Sequence, residues 1–161
     1  MIILDTCIAS SLSKINRLSL LQHFKEVVTT QGVINETLRS QDIRVIGPLI
    51  NATKTWMQIL PSGSSRHISS LKSTYQNLSW IDCELLDLCI TKKSVLFTDD
   101  RYLLHVAEND FGINTWALSD IFEALLNKGY IQDKDIDGIL ADLKKEDNYS
   151  FSKKELKALG R

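Results

Sequence analysis

Acidic residues follow the apolar segments of this sequence at the points where those segments end. Asp5 directly follows Ile2–Leu4, and Asp99 and Asp100 follow the segment 94–98. Short apolar runs without alternation are typical of strands buried on both faces, as in parallel sheets. The functional crevice of an open parallel sheet lies beyond the carboxyl ends of its strands. A carboxylate there is costly unless its charge is used, so we expect these acids to line a functional crevice.

Two further acids are predicted to reach the same crevice from helices. Asp82 shares a helix face with Leu85 and Leu86, at spacings of three and four residues, and this face is directed to the core. Glu36 lies in the first turn of a helix that follows a β-branched strand at 27–30. By the same periodicity Glu84 and Asp87 fall off the buried face and are expected to be solvated.

Each of these acids also has an ordinary structural explanation. Asp5 and one of Asp99 and Asp100 could simply cap the helices that follow them. Asp82 could be only the partner of Ser79 in a capping box, and Glu36 could be a solvated helix residue. Four acids at equivalent ends of separate elements are harder to explain in this way than any one of them.

A cluster of carboxylates indicates a divalent cation, because the charges repel each other unless a cation neutralises them. The hard, oxygen-seeking candidates are Mg²⁺ and Mn²⁺, since no His or Cys residues occur in a ligand-like pattern. Such an ion polarises a phosphodiester and generates hydroxide from water. The hydroxyl groups of Thr6 and Thr98 could orient a water molecule or a carboxylate in that site.

Composition limits the alternatives. The chain has 161 residues, with 19 basic and 20 acidic side chains and a net charge of −1, which argues against binding nucleic acid through bulk positive charge alone. Its three cysteines form no C-x-x-C pair, so we expect reduced thiols rather than a disulfide framework. No signal peptide and no apolar run of about 20 residues is visible, which predicts a soluble, cytoplasmic protein without a membrane segment.

Strands and helices alternate along the chain, which indicates an α/β class with a mainly parallel sheet. The predicted strands are 2–4, 27–30, 94–98 and 112–116, and Pro48 is expected to start a helix. The segment 61–79 is rich in serine and is expected to be a loop followed by a polar helix. The last thirty residues carry two helical patterns. We therefore divide the chain into a domain at 1–128 and a helical extension at 129–161 packed on it.

The acidic motifs resemble those of PIN-domain nucleases, in particular the small VapC-like proteins of prokaryotes. The matching segments are Ile2-Ile-Leu-Asp-Thr6, Val33-Ile-Asn-Glu-Thr37, Leu78-Ser-Trp-Ile-Asp-Cys83 and Thr98-Asp-Asp-Arg101. The resemblance covers about residues 1–128, and the tail resembles the extension of one PIN subgroup more loosely. The sequence departs from the pattern at Trp80 and Ile81, where the family often has a small residue, and in the serine-rich segment.

The resemblance implies a PIN-like three-layer sandwich, with a short four- to five-stranded sheet and helices on both faces. It also implies a metal-dependent endoribonuclease, the toxin of a toxin–antitoxin pair, whose antitoxin occupies the cleft. Asp5, Glu36, Asp82 and Asp100 would be the catalytic acids. Asp5, Asp82 and Asp100 would bind Mg²⁺ or Mn²⁺, and Asp99 would assist or replace Asp100.

Contacts with RNA are expected from the cations that flank the acidic motifs in sequence. These are Lys14, Arg17, Arg39, Lys92, Lys93 and Arg101. Trp80 and Trp116 could stack on bases, although packing in the core or in an interface is the commoner use of such residues. A homodimer is expected, with Leu12, Ile15 and the apolar face of the helix at 133–145 as candidate interface.

Two alternatives stay open. The first is a PIN nuclease that processes RNA outside a toxin system. The second is a PIN fold that serves as a binding or assembly module with weak activity or none. The complete acid set disfavours the second, because a protein that had lost nuclease activity would be free to lose carboxylates that repel each other. An aspartate-based phosphatase is disfavoured because position 7, where it needs a second Asp, is Cys.

Overall fold

Five short strands form the central sheet of the protein, and every neighbouring pair is parallel. The computed structural model describes residues 1–161. The strands are β1 (Ile2–Leu4), β2 (Val27–Thr30), β3 (Gln58–Leu60), β4 (Val95–Phe97) and β5 (Thr115–Trp116). Their order in the sheet is β3-β2-β1-β4-β5. The carboxyl ends of β1, β2 and β4 therefore lie side by side, which is the edge predicted to carry the acids.

Helices connect the strands and cover both faces of the sheet. They are α1 (Thr6–Lys14), α2 (Gln31–Ser40), α3 (Ile43–Thr55), α4 (Ser65–Thr74), α5 (Trp80–Lys92), α6 (Arg101–Phe111), α7 (Leu118–Asn127), α8 (Asp133–Asp147) and α9 (Lys153–Ala158). A 3₁₀ segment, Leu18–His23, follows α1. The predicted α/β class and the three-layer arrangement are confirmed.

One local prediction was wrong, and one strand was not assigned from the sequence. Pro48 does not start a helix but lies inside α3, which begins where the Asp42 side chain caps the backbone N–H of Arg44 at 3.0 Å. The strand β3 was not predicted, because it is an edge strand of three residues, and its Gln58 and Ile59 are exposed. Neither a continuous apolar run nor a clear alternation marks such a strand.

The two faces of the sheet divide the core into two clusters. Ile3, Val28 and Leu96 face one cluster with the buried residues of α5 and α6. Leu4 and Phe97 face the other cluster, with α1, α3, α7 and α8. Because successive side chains of a strand point to opposite faces, the next residue after each strand has a fixed face as well. This alternation decides which acids meet at the carboxyl edge.

The C-terminal helices share the second of these clusters with the rest of the chain. Ile136, Ile139 and Leu143 of α8 are buried there together with Leu12 and Ile15 of α1. At the end of α8, Asp147 accepts hydrogen bonds from Ser11 Oγ and Lys14 Nζ, both at 2.5 Å. The residues predicted to form a homodimer interface are therefore internal contacts between α1 and α8, which corrects that assignment.

No helix of the structure combines the length and the apolar character that crossing a membrane requires.

Candidate functional site

Asp5 occupies the centre of the carboxyl edge. It is the N-cap of α1, with Oδ1 2.6 Å from the backbone N of Thr6. Its Oδ2 accepts hydrogen bonds from Thr98 Oγ1 at 2.6 Å and from Cys7 Sγ at 3.0 Å. Burial raises the pKa of Asp5, the bonds from Cys7 and Thr98 lower it, and the charge of Asp82 raises it further. Asp5 therefore combines the predicted capping role with a place among other carboxylates.

Asp100 is connected to Asp5 through Thr98. The Thr98 hydroxyl donates to Asp5 and accepts the backbone N–H of Asp100 at 3.0 Å. Asp100 is itself the N-cap of α6, because its Oδ1 accepts the N–H groups of Tyr102 and Leu103, both at 2.8 Å. The residue is exposed, and its Oδ2 takes no part in the cap. The cap fixes the carboxyl group while one oxygen stays free for a ligand.

Asp82 also combines a cap with proximity to Asp5. It forms a capping box at the start of α5, since Ser79 Oγ accepts its N–H at 3.0 Å and its Oδ2 accepts the N–H of Ser79 at 2.6 Å. It is near enough to Asp5 to raise the pKa of that carboxyl group. The capping role is therefore confirmed, and it is compatible with the predicted place of Asp82 beside Asp5.

Glu36 reaches the same edge from α2 through a threonine. Its Oε2 accepts a hydrogen bond from Thr6 Oγ1, and the backbone N of Thr6 contacts Asp5. Glu36 is half-buried rather than freely solvated. The structure therefore brings Asp5, Glu36, Asp82 and Asp100 to one edge, with Thr6 and Thr98 between them.

Asp99 lies on the other face of the sheet. Thr98 shares the face of Asp5, so Asp99 points to the opposite side, where its Oδ1 accepts the N–H of Leu118 at 3.1 Å. The Tyr149 hydroxyl of the C-terminal segment lies beside this carboxylate and lowers its pKa, but burial has the larger effect and raises the pKa to about 6. Oδ2 is buried without a well-formed hydrogen bond. Asp99 thus joins the strand end to the C-terminal helices.

We predict that Asp99→Asn stabilises the protein at neutral pH. The pKa of Asp99 is about 6 in the fold against 3.8 normally, so its contribution to stability is fully present below about pH 4 and lost as pH rises through about 6. Asn can keep the bond from Leu118 without the buried charge, and we expect a gain of roughly 1–2 kcal/mol at pH 7.5. Urea unfolding at pH 4 and 7.5 measures it. Equal stability of both proteins at pH 7.5 would contradict the prediction.

Most of the cations proposed to bind RNA lie towards the edge of the sheet opposite to the acids. A helix that follows a parallel strand starts at the carboxyl edge and runs back about 1.5 Å per residue. Lys14 and Lys92 lie in the last turns of α1 and α5, whereas Arg39 follows Glu36 by less than one turn of α2. Lys14 is also paired with Asp147. Arg17 and Lys93 follow the ends of α1 and α5, so the cations nearest the acids along their helices are Arg101, at the first position of α6, and Arg39.

The two tryptophans considered for base stacking differ in how far they are exposed to solvent. Trp116 stacks on Phe97 with a centroid distance of 5.5 Å and packs against Phe24, so it belongs to the core. Trp80, at the first position of α5, is 56% exposed. Of the two residues considered for base stacking, Trp80 is therefore the more exposed, and Trp116 is half-buried.

Sequence reasoning missed three residues near or behind the site. Cys7 accepts the N–H of Asp99 at 3.1 Å and donates to Asp5, and burial raises the pKa of its thiol well above the usual range, so it stays a donor. Asp87 was expected to be solvated but is fully buried and contacts the ring of His67 in α4. Glu84 was also expected in solvent, yet its Oε2 is buried. Only Cys7, two residues after Asp5, carries a signal in the sequence.

The donor set suits a hydrated divalent cation rather than a closed metal centre. Asp5, Asp82 and Asp100 offer carboxylate oxygens, which Mg²⁺ and Mn²⁺ prefer, and Mg²⁺ usually keeps several waters and one or two carboxylates. No group of three or more acidic, His or Cys side chains is arranged so that it could by itself hold a metal ion. The repulsion between Asp5 and Asp82 is what a cation would relieve.

Comparison with known proteins supports the assignment of the fold. The family model described as DUF3368, a PIN domain, matches residues 1–160. No curated protein matches the chain. The match includes the C-terminal helices as well as every acid at the carboxyl edge. PIN domains are generally nucleases, and such nucleases generally use divalent metals. The chain belongs to the DUF3368 family of PIN domains.

Proposed function

We propose that this protein is a metal-dependent endoribonuclease that hydrolyses RNA phosphodiesters. The observation that carries the proposal is the buried Asp5, whose pKa is raised by burial and further by the charge of Asp82, at an edge shared with Glu36 and Asp100. A protein gains nothing from this repulsion unless a cation or a reaction uses it. Membership of a nuclease-type family supports the same conclusion.

The four acids take different parts in the proposed site. Asp5, Asp82 and Asp100 are the candidates to hold Mg²⁺ or Mn²⁺, and Thr98 fixes Asp5 and Asp100 relative to each other. When bound, the ion polarises the phosphodiester and stabilises developing negative charge. Glu36 uses Oε2 to accept the Thr6 hydroxyl. Its other oxygen is then available to orient the attacking water or to accept its proton.

The biological setting belongs to the same proposal. We place the protein in the cytoplasm as a VapC-like toxin, with an antitoxin protein that covers the acidic edge. The alternatives are RNA processing outside a toxin system and a binding module with weak activity. The presence of all four acids favours a nuclease over the module. A homodimer remains a prediction, and its interface must lie outside the buried contact between α1 and α8.

Cleavage of a labelled RNA pool by the purified protein tests the proposal. We expect cutting with Mg²⁺ or Mn²⁺ and none with EDTA. The Asp5→Asn protein, purified in parallel, separates this activity from contaminating ribonuclease. No cutting by the folded protein with either metal would favour the binding module. Identical cutting by both proteins would assign the activity to a contaminant.

Arg101 is expected to contribute to RNA affinity, whereas the candidate cations at the opposite edge of the sheet are not. It is exposed at the start of α6, beside Asp100, whereas Lys92 lies in the last turn of α5. Arg101→Gln should weaken RNA binding and lower the slope of log K against log salt by about one. Lys92→Gln is the matched control. Titration of fluorescent RNA at several salt concentrations measures both, and equal losses would contradict the assignment.

A further inference from the structure

Two exposed aromatic side chains belong to the helix turns that carry acids of the proposed site. Trp80 is 56% exposed and is the first residue of α5, two positions before Asp82. Tyr102 is 38% exposed and is the second residue of α6, two positions after Asp100. Tryptophan and tyrosine combine a large apolar ring with a polar group, which suits them to contacts with a ligand.

A direct contact fixes Tyr102 beside the acids. Its backbone N–H donates a hydrogen bond to Asp100 Oδ1 at 2.8 Å. The N–H of Asp100 in turn donates to the Thr98 hydroxyl at 3.0 Å, and that hydroxyl donates to Asp5 at 2.6 Å. Tyr102 is therefore joined to the central acid of the edge by a short chain of hydrogen bonds.

The direction of α5 places Trp80 at the same edge. The last turn of α5 leads to the amino end of β4, so its first turn lies at the carboxyl edge. Two residues later, about 3 Å along the helix axis, Asp82 acts on Asp5, whose pKa is raised by burial and further by the charge of Asp82. Because Cα–Cβ bonds in a helix tilt towards its N-terminus, the side chain of Trp80 leaves α5 on the acidic side.

The two rings border one surface. Burial raises the pKa of Tyr75, and Asp110 and Tyr102 raise it further, so Tyr102 lies near Tyr75. Tyr75 begins the segment 75–79, which joins α4 to α5 and ends directly before Trp80. Exposed apolar groups that occur together, rather than singly, mark binding surfaces.

The charge at this edge makes RNA difficult to hold through its phosphates. The carboxylates of the site repel a polyanion until a cation binds, and the cations nearest to them along their helices are Arg39 and Arg101. Stacking of bases on aromatic rings supplies affinity that needs no positive charge. Such stacking requires bases that are splayed out of a helix, as in single strands and loops.

We propose that Trp80 and Tyr102 are the base-binding residues of the site, and that each ring stacks on one unpaired base next to the phosphodiester that is cut. This inference rests on the proposed function. A base and its phosphate belong to the same nucleotide, so rings beside the acids meet bases when the acids meet the phosphate. The rings thus determine which RNA is bound, without taking part in the chemistry.

Trp80→Leu and Tyr102→Leu test this role, because each keeps an apolar side chain and removes the ring. We expect each substitution to raise KM for a single-stranded labelled RNA roughly 5- to 150-fold, the usual cost of losing one stacked base. The kcat in Mn²⁺ should stay nearly unchanged, because stacking is equal in the ground state and the transition state. Trp80→Phe and Tyr102→Phe keep a ring and should restore most of the affinity.

Tyr130→Leu is the matched control. Tyr130 is 48% exposed and stacks on His23 with a centroid distance of 4.0 Å. It follows the end of α7, a helix that begins at the carboxyl edge, so it lies towards the opposite edge of the sheet. We expect its loss to leave KM unchanged.

Tryptophan fluorescence reports the contact without cleavage. Trp56 and Trp116 are half-buried, so Trp80 is the exposed tryptophan of the protein. Single-stranded RNA added in EDTA at low salt should quench the emission of the wild type but not that of Trp80→Leu. The same strand annealed to its complement should quench little and be cut slowly in Mn²⁺.

The outcomes separate this inference from the proposed function. If the wild type cuts RNA in Mn²⁺ but both Leu variants keep its KM, only the role of the rings is overturned, in favour of contact with a protein partner. Equal cutting of single-stranded and duplex RNA by the wild type would also overturn it. If the wild type neither cuts RNA nor shows quenching, the proposed nuclease itself fails.

Discussion

Asp5→Asn is expected to reduce metal-dependent RNA cleavage by at least about 100-fold, because even residues behind metal ligands contribute 10- to 100-fold. Asn keeps the size of the side chain and one carbonyl oxygen but loses the charge that attracts the cation. The Thr98 hydroxyl can still hydrogen-bond to the amide. Rates of cleavage of one labelled RNA at saturating Mn²⁺ measure the loss.

The stability of Asp5→Asn separates chemistry from folding. Burial and the charge of Asp82 raise the pKa of Asp5, so its ionised form is unfavourable in the fold. The amide has only one acceptor oxygen where the carboxylate accepts three hydrogen bonds on two, so this loss outweighs the relief and we expect the free energy of unfolding at neutral pH to fall by roughly 1–2 kcal/mol. Urea unfolding checks this. Retained cleavage by the folded variant would contradict the assignment of Asp5 to the site.

The helices make this concentration of acids tolerable without metal. Asp5 and Asp100 are N-caps, and Asp82 lies in the first turn of α5. A helix N-terminus presents unpaired N–H groups and a partial positive charge, which stabilises each nearby carboxylate. The local cap and the shared site therefore do not compete for these residues. The cap holds each carboxyl group at the edge, where mutual repulsion leaves it ready for a cation.

The positions of these acids could be predicted because each follows directly from a local signal. A buried apolar run fixes where β1 ends, so Asp5 had to lie at the carboxyl edge. The Ser79–Asp82 spacing fixed the start of α5. Side chains continue to alternate between the two faces beyond β4, so Asp99 and Asp100 cannot both face Asp5. Applying it requires knowing which residue of the strand faces which layer.

Tertiary contacts account for what could not be predicted. The helix pattern puts Glu84 and Asp87 off the stripe of Leu85 and Leu86, but α5 is buried on nearly all sides by the sheet, α2 and α4. No stripe is solvated in such a helix. Lys14 and Lys92 are close to acidic motifs in the sequence but not to the acids in space, because the last turn of a helix lies away from the edge where the helix begins.

Leu143→Ala is expected to destabilise the whole protein by roughly 3 kcal/mol, the usual cost of emptying a fully buried leucine site. Leu143 belongs to α8, yet its cluster contains Leu4 and Phe97 of the central sheet. The melting temperature should fall by roughly 6–12 °C for a chain of this size. Leu38→Ala, at a site that is 45% exposed on α2, is the control and should change it little.

The shape of this transition decides whether 129–161 is an appendage or part of one folding unit. Shared burial of α8 with α1, and the contact of Tyr149 with Asp99, predict one transition in which helix content and tryptophan fluorescence change together. A separate extension would instead melt first, with a small loss of helix and no change at Trp116, which lies in β5. Because Tyr149 contacts the residue before Asp100, a single transition would also mean that the C-terminal helices stabilise the acidic edge itself.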